Sequence, residues 1–385
     1  MRRGSVLAGM VLLVSAVAGC DGGRTPPPNP TPSATTAPTA PAIGALTPLP
    51  PLGLPRAVHT ATLLPDGRVL VVGGCTSNGC GGTPQGGRSE FFVPAARAFT
   101  PGPPLREARA GHTATALLDG RVLVAGGYPD EGRPPLASAE IFDPRSGRFE
   151  TAGAMASARG GHTATLMADG RVLVVGGFTS TSLAGTEIFD PRTARFIAAA
   201  PLPVNRSTHA AALLRDGRVL VVGGQVGRTT LTDTAFLYDP TRDAWQQAAP
   251  LHEAKYKLAV APLPDGGALV VAGQTADARD ARLATIELFN AATNTFRPGP
   301  TMTEPRFKIS EAVAVLPDGR ILIGGGGSTV EVFDGEKLSI LAGRLGGERQ
   351  FPTATALADG SVLITGGYDN QTNVSADAFL AIPHR

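Results

Sequence analysis

Three sets of side chains in this sequence could do chemistry, and all three recur at fixed spacing. A base stands ten residues ahead of every Asp-Gly pair: Arg56, Arg109, Arg159, Arg206, Lys255, Lys308 and Arg349. Guanidinium forks at such positions suit carboxylate or phosphate groups. Four imidazoles, His59, His112, His162 and His209, follow three residues after the first four of these bases, and neutral imidazole suits a transition metal. The third set is acidic: Glu90, Glu140, Glu187, Glu287, Glu331 and Asp377 each precede an aromatic by two residues. Paired carboxylates can hydrolyse glycosidic bonds, but an active site needs one or two copies, so an acid that recurs along the chain reads as structural. The histidines read the same way, since a repeated imidazole packs between repeats and bonds to backbone; a metal ring is the alternative. No catalytic residue, metal or cofactor is assigned on this basis. A Ser-His-Asp arrangement, a phosphate loop and a zinc hydrolase motif are not found.

The cysteines say more about compartment than about chemistry. Arg2 and Arg3 precede an apolar stretch from Val6 to Val17 and then Ala18-Gly19-Cys20, the pattern of a secretory leader, too short in its apolar part to span a bilayer. Val17-Ala18-Gly19-Cys20 resembles a bacterial lipobox, which makes residues 1–19 a signal peptide and Cys20 the lipid-bearing first residue of an exported, envelope-anchored protein. Cys75 and Cys80 then remain as a local pair, and a disulfide between them is expected in an oxidising compartment. Residues 20–42 form a linker, rich in Pro, Thr and Ala from Thr25, whose composition favours an extended chain over a packed element.

The full chain has 34 Lys and Arg against 32 Asp and Glu, and losing Arg2 and Arg3 with the leader brings it to balance. Nothing in that charge draws it to nucleic acid. With 49 Gly and 34 Pro in 385 residues, the composition favours many short strands joined by turns.

Those strands are what must position the three sets of residues. Asp-Gly recurs at Asp66, Asp119, Asp169, Asp216, Asp265, Asp318 and Asp359, spaced 53, 50, 47, 49, 53 and 41 residues apart, which is the signature of a repeat architecture. A strand of small and apolar residues precedes each pair and a β-branched strand such as RVLVVGG follows it. Asp-Gly is thus the tight turn of a hairpin, not an acid catalyst. A third strand ends in Phe92, Phe142, Phe189, Tyr238, Phe289, Phe333 or Phe379, and a fourth holds Phe99, Phe149, Phe196, Trp245 or Phe296. Four strands in each of seven repeats predict an all-β, seven-bladed β-propeller over residues 43–385. The seventh repeat lacks its last strand, and Ile43 to Pro50 is placed to supply it, closing the ring.

The unit R-x-x-H-x(6)-D-G-R-x-L-x-V-G-G, followed by E-x-F-D-P, resembles the kelch repeat, and the whole resembles the central propeller of galactose oxidase relatives. In those oxidases two Tyr, one of them joined to a Cys, and two His hold copper. The resemblance implies that a Tyr and a His would stand eight residues ahead of the turn Asp; here those places hold Val58, Gly111, Gly161, Thr208, Lys257, Ser310 and Phe351. An oxidase-like or carbohydrate-active enzyme is therefore the second reading. The first is a binding or scaffold module, expected to be monomeric, because kelch propellers serve many roles.

Strand direction places the seven bases on the same face as the loops 75–89, 128–138 and 274–284, away from the tight turns. Binding tends to reside in such loops. The expectation is a basic rim that takes a partner protein or an anionic glycan. The alternative is that these bases pair with acids of the repeat such as Glu140 and Glu187.

Overall fold

A computed structural model describes residues 43–80, 85–129, 133–276 and 281–384. Cys20 and the linker lie outside the described residues, as does the side chain of Cys80; Cys75 is disulfide-bonded.

Seven four-stranded antiparallel sheets follow one another along the chain. Their inner strands, from blade one to blade seven, are Thr60–Leu63, Thr113–Ala116, Thr163–Leu166, Ala210–Leu213, Ala259–Pro262, Val313–Val315 and Thr353–Ala356. Each packs on the next, and the seventh packs on the first, so they enclose an axis. Six sheets are contiguous in sequence. The seventh takes its outer strand from the other end: Gly44–Leu49 pairs antiparallel with Ala378–Pro383, Gly44 opposite Pro383 and Leu49 opposite Ala378. That closure leaves no blade boundary unsealed, which manages the edge-strand hazard of an open sheet.

The reason for this ring is legible in the second strands. Val69-Leu70-Val71-Val72 is buried at every position, because a blade has neighbours on both sides. Val69 and Val71 pack with Leu363 and Leu380 of blade seven, whereas Leu70 and Val72 pack with Val122, Val124 and Phe142 of blade two. The side-chain period of two thus sends alternate residues into alternate slabs, and the core is seven apolar slabs between blades instead of one. The Gly-Gly pairs ending these strands have a steric cause. A Cβ on Gly73 would strike the carbonyl of Arg109, and one on Gly126 that of Arg159. Both glycines adopt positive φ, where Gly alone is unhindered.

Register corrects one alignment. The third-strand aromatics lie opposite the first residue of the second strand, as Phe92 does Val69 and Phe142 does Val122. In blade seven that place belongs to Ala381, and Phe379 lies opposite Ile364, the place Glu90 holds against Val71. The shortened seventh repeat had hidden this shift of two residues.

Candidate functional site at the loop-face mouth of the axis

The seven bases do not form a rim. Arg56, Arg109, Arg206 and Lys255 have no exposed surface and Arg159 has 1 %, so none of them can fork onto a ligand. Each Arg instead staples its own blade. Arg56 Nη2 donates to Glu90 Oε1 at 2.6 Å and Nη1 to the Gly73 carbonyl at 2.8 Å; Arg159 repeats this with Glu187 at 2.5 Å and Gly176 at 2.7 Å. Arg109 bonds Glu140 at 3.0 Å and Lys255 bonds Glu287 at 2.5 Å. The other carboxylate oxygen accepts a backbone N–H from the segment entering the blade: Gly53 for Glu90, Arg106 for Glu140 and Ala156 for Glu187. The pairs therefore fix where the chain crosses from blade to blade, and the fork chemistry predicted for a ligand is spent internally. Desolvation lowers the pKa of Arg56, Arg109 and Arg159 against the opposing pull of their acids.

Three blades depart from this pattern. In blade four Phe236 stands opposite Val221, where the acid would be, and Arg206 lies 5.2 Å from its ring centroid while donating to Thr234 Oγ1 at 2.8 Å. With no acid to offset burial, its pKa falls to about 10. In blade six the staple is Arg306, bonded to Glu331 at 3.0 Å and to the Gly325 carbonyl at 2.8 Å, and not Lys308. In blade seven Arg349 pairs with Asp377 of the loop and keeps 14 % of its side chain exposed.

The histidines rivet neighbouring blades together near the axis. His59 Nε2 lies 2.9 Å from Thr365 Oγ1, His112 3.0 Å from Thr60, His162 3.1 Å from Thr113 and His209 3.0 Å from Thr163. Burial pushes all four below the usual imidazole range, His112 and His162 to about 3. At the remaining boundaries Leu258, Ile309 and Pro352 take the same place.

The position one residue before these forms a collar. Val58, Thr208, Lys257, Lys308 and Phe351 have φ of 56, 51, 53, 57 and 50°, and Gly111 and Gly161 have 62 and 59°. Phe351 N donates to the Lys308 carbonyl at 2.8 Å, Lys308 to Lys257 at 2.9 Å, Lys257 to Thr208 at 2.9 Å and Thr208 to Gly161 at 2.8 Å; Gly111 donates to Val58 at 3.0 Å and Val58 to Phe351 at 3.3 Å. Left-handed backbone at Val58 and Thr208 costs of order 1–2 kcal/mol each, and this hydrogen-bonded circuit holds it. Counting back from Asp318 put Ser310 in the collar; two extra residues in blade six move that place to Lys308.

The collar is uneven. Gly111 and Gly161 leave one side bare, and Lys257, Lys308 and Phe351 crowd the other. Lys308 Nζ donates to Tyr368 OH at 2.7 Å and Gln350 Oε1 at 3.0 Å, and lies 4.7 Å from the Phe307 centroid, 4.9 Å from Tyr368 and 5.7 Å from Phe351. Burial raises the Tyr368 pKa to about 12. Gln350 Nε2 passes the network to Asn370 at 2.8 Å, which also accepts from Arg282 of blade five at 2.8 Å. Three blades are thereby tied together at the mouth. Sequence reasoning missed this cluster; the one available signal was the break in the repeat after Lys308.

The collar does not fit copper. It holds no Tyr and no His, a protonated lysine ammonium offers no lone pair, each repeat His is engaged by a threonine, and among the described residues no group of three or more His, Cys, Asp or Glu converges. No helix among the described residues is long and apolar enough to cross a membrane.

A closed ring of seven four-stranded blades built on this repeat defines the class, a kelch-type β-propeller. Residues 111–327 match the profile described as KLHDC2/KLHL20/DRC7 Kelch-repeats domain, and the chain belongs to this kelch-repeat family. No curated protein matches it in sequence. Similar solved structures include a fungal alcohol oxidase of the AA5 family in complex with copper, with TM-score 0.72, 17 % identity, 89 % of this chain and 76 % of that one covered. YjhT is another, with TM-score 0.57, 14 % identity and 86 % and 96 % covered. At these identities the likeness is one of fold.

Proposed function

We propose that the protein is a binding module, exported and tethered through Cys20, whose protein ligand seats on the loop face at the collar segment formed by Lys257, Lys308 and Phe351. One observation carries this reading: the collar position recurs in all seven blades with the same left-handed backbone, and its large, chemically varied side chains gather on one side while the rest stay small or absent. A rigid scaffold that varies at one spot is where recognition resides. An anionic glycan held by a ring of seven bases is set aside, because Arg56, Arg109, Arg159, Arg206 and Lys255 are buried inside the blades and Arg349 is paired with Asp377. The leader and Cys20 motif support the tether.

Affinity capture from a solubilised envelope tests the reading, using the full chain, a Phe351→Ala, Lys308→Gln double variant and an Arg192→Glu control. Arg192 lies on the turn face with 83 % of its side chain exposed. A ligand lost by the collar variant and retained by the control supports the proposal; the reverse pattern, or equal capture by all three, overturns it.

A further inference from the structure

Blade six carries an insertion that no other blade has. Its turn residue Asp318 follows the collar by ten residues instead of eight, and its inner strand, Val313–Val315, has three residues where the others have four. The two additional residues are Ser310 and Glu311, and both are exposed to solvent. Yet they belong to the innermost layer: the Glu311 carbonyl accepts from Ala354 N of the neighbouring inner strand at 2.7 Å. A side chain wrapped by protein and still wet, in the layer that encloses the axis, lies on the axial channel.

Glu311 is also alone. Its carboxylate makes no hydrogen bond or ion pair among the described residues, whereas Glu90, Glu140, Glu187, Glu287 and Glu331 are all paired. The seven inner strands read TATL, TATA, TATL, AAAL, AVAP, VAV and TATA, so they add no other charge to the wall. Burial raises its pKa. An unpaired carboxylate in protein surroundings is costly unless a counter-charge arrives.

We propose that Glu311 receives a cationic group from outside the chain, a primary ammonium or guanidinium on a thin flexible stem, reaching down the axis from the loop face. The chemistry selects this class. Calcium asks for six to eight oxygens and finds one carboxylate with the Ser310 hydroxyl beside it. An ammonium needs few acceptors, and its methylene stem packs against Ala, Thr and Val walls. The source is a lysine-like or arginine-like side chain of a partner, or a free diamine. This inference rests on the proposed loop-face reading and deepens it.

Equilibrium binding to the full chain, followed by ligand-observed NMR, tests it with Nα-acetyl-lysine N-methylamide, Nα-acetyl-arginine N-methylamide, putrescine, the uncharged norleucine analogue and potassium chloride. The expected result is binding of the cationic probes, none by norleucine, and weakening by about tenfold or more in Glu311→Gln, the scale of one charge-assisted hydrogen bond. Peptide-derived probes binding more tightly than putrescine would point to a partner side chain, and the converse to a free diamine. Unchanged affinity in Glu311→Gln, equal binding of norleucine, or competition by potassium alone overturns the proposal. Glu311→Gln removes no hydrogen bond or ion pair found among the described residues, and a single cooperative melt at or above the wild-type temperature confirms that it is folded. If envelope capture survives Glu311→Gln but fails in the collar variant, the axial inference falls and the mouth reading stands; if capture survives in both, the mouth reading falls.

Discussion

Acidification should unfold this propeller early, and the four blade-bridging histidines set the pH. In the unfolded chain each imidazole protonates near 6.5. In the folded ring burial and the nearby arginines hold His59, His112, His162 and His209 neutral, His112 and His162 down to about 3. These folded values are depressed, so the unfolded state binds more protons below pH 6.5, and stability falls as pH falls from there toward the folded values. Each proton contributes about 1.4 kcal/mol per pH unit, so four give a limiting slope of about 5 kcal/mol per unit. Between pH 7 and 5 the loss sums to about 7 kcal/mol, comparable to the whole stability of a typical domain. The turn aspartates Asp66, Asp119, Asp169 and Asp216 are held below their usual range and act only under more acid conditions, so from about pH 6 to 4.5 the four histidines dominate, opposed by the single carboxyl of Glu311, whose pKa is raised. Urea denaturation at half-unit steps measures the slope, and His112→Gln, which retains a partner for Thr60, should reduce it by about a quarter. A wild-type slope no steeper than that of one proton, about 1.4 kcal/mol per unit, refutes the reasoning, as does an undiminished slope in the variant.

Other expectations follow from the same contacts. Arg159→Met leaves Glu187 buried without its cation and should cost about 3–5 kcal/mol, whereas Arg206→Met strands no acid and should cost at least about 1 kcal/mol less; equal losses by urea denaturation would contradict the stapling account. Deleting residues 43–49 strips the partner of Ala378–Pro383 and should abolish a single cooperative melt, so a calorimetric transition that remains sharp and unshifted would show that ring closure is dispensable. Glu311→Gln should raise stability at pH 8 and leave it nearly unchanged in acid, because a carboxyl whose folded pKa is raised destabilises at high pH and relaxes as pH falls; a loss at pH 8 by thermal melting would mean that Glu311 has a partner.

Much of the architecture was readable from residue order. Asp-Gly turns, alternating strands and the missing last strand of the seventh repeat are local and periodic, and they predict seven blades and the N-terminal closure that pairs Gly44 with Pro383. The same periodicity misled the reading of the site. Arg56 and its equivalents recur because each blade needs its staple, and only burial against Glu90 distinguishes a staple from a rim residue; that burial depends on how far the third strand lies from the entering chain. Lys308 looked equivalent to Arg109 by counting, but a two-residue insertion had displaced it, and Arg306 does the stapling in its place. What the chain by itself determined was the repeat and its turn chemistry, since both depend on neighbours a few residues apart. Which charges are spent inside the blades, which side of the collar is crowded, and that the Glu311 carboxylate is left unpaired among the described residues were decided only by tertiary structure, because each depends on the distance between blades about fifty residues apart in sequence.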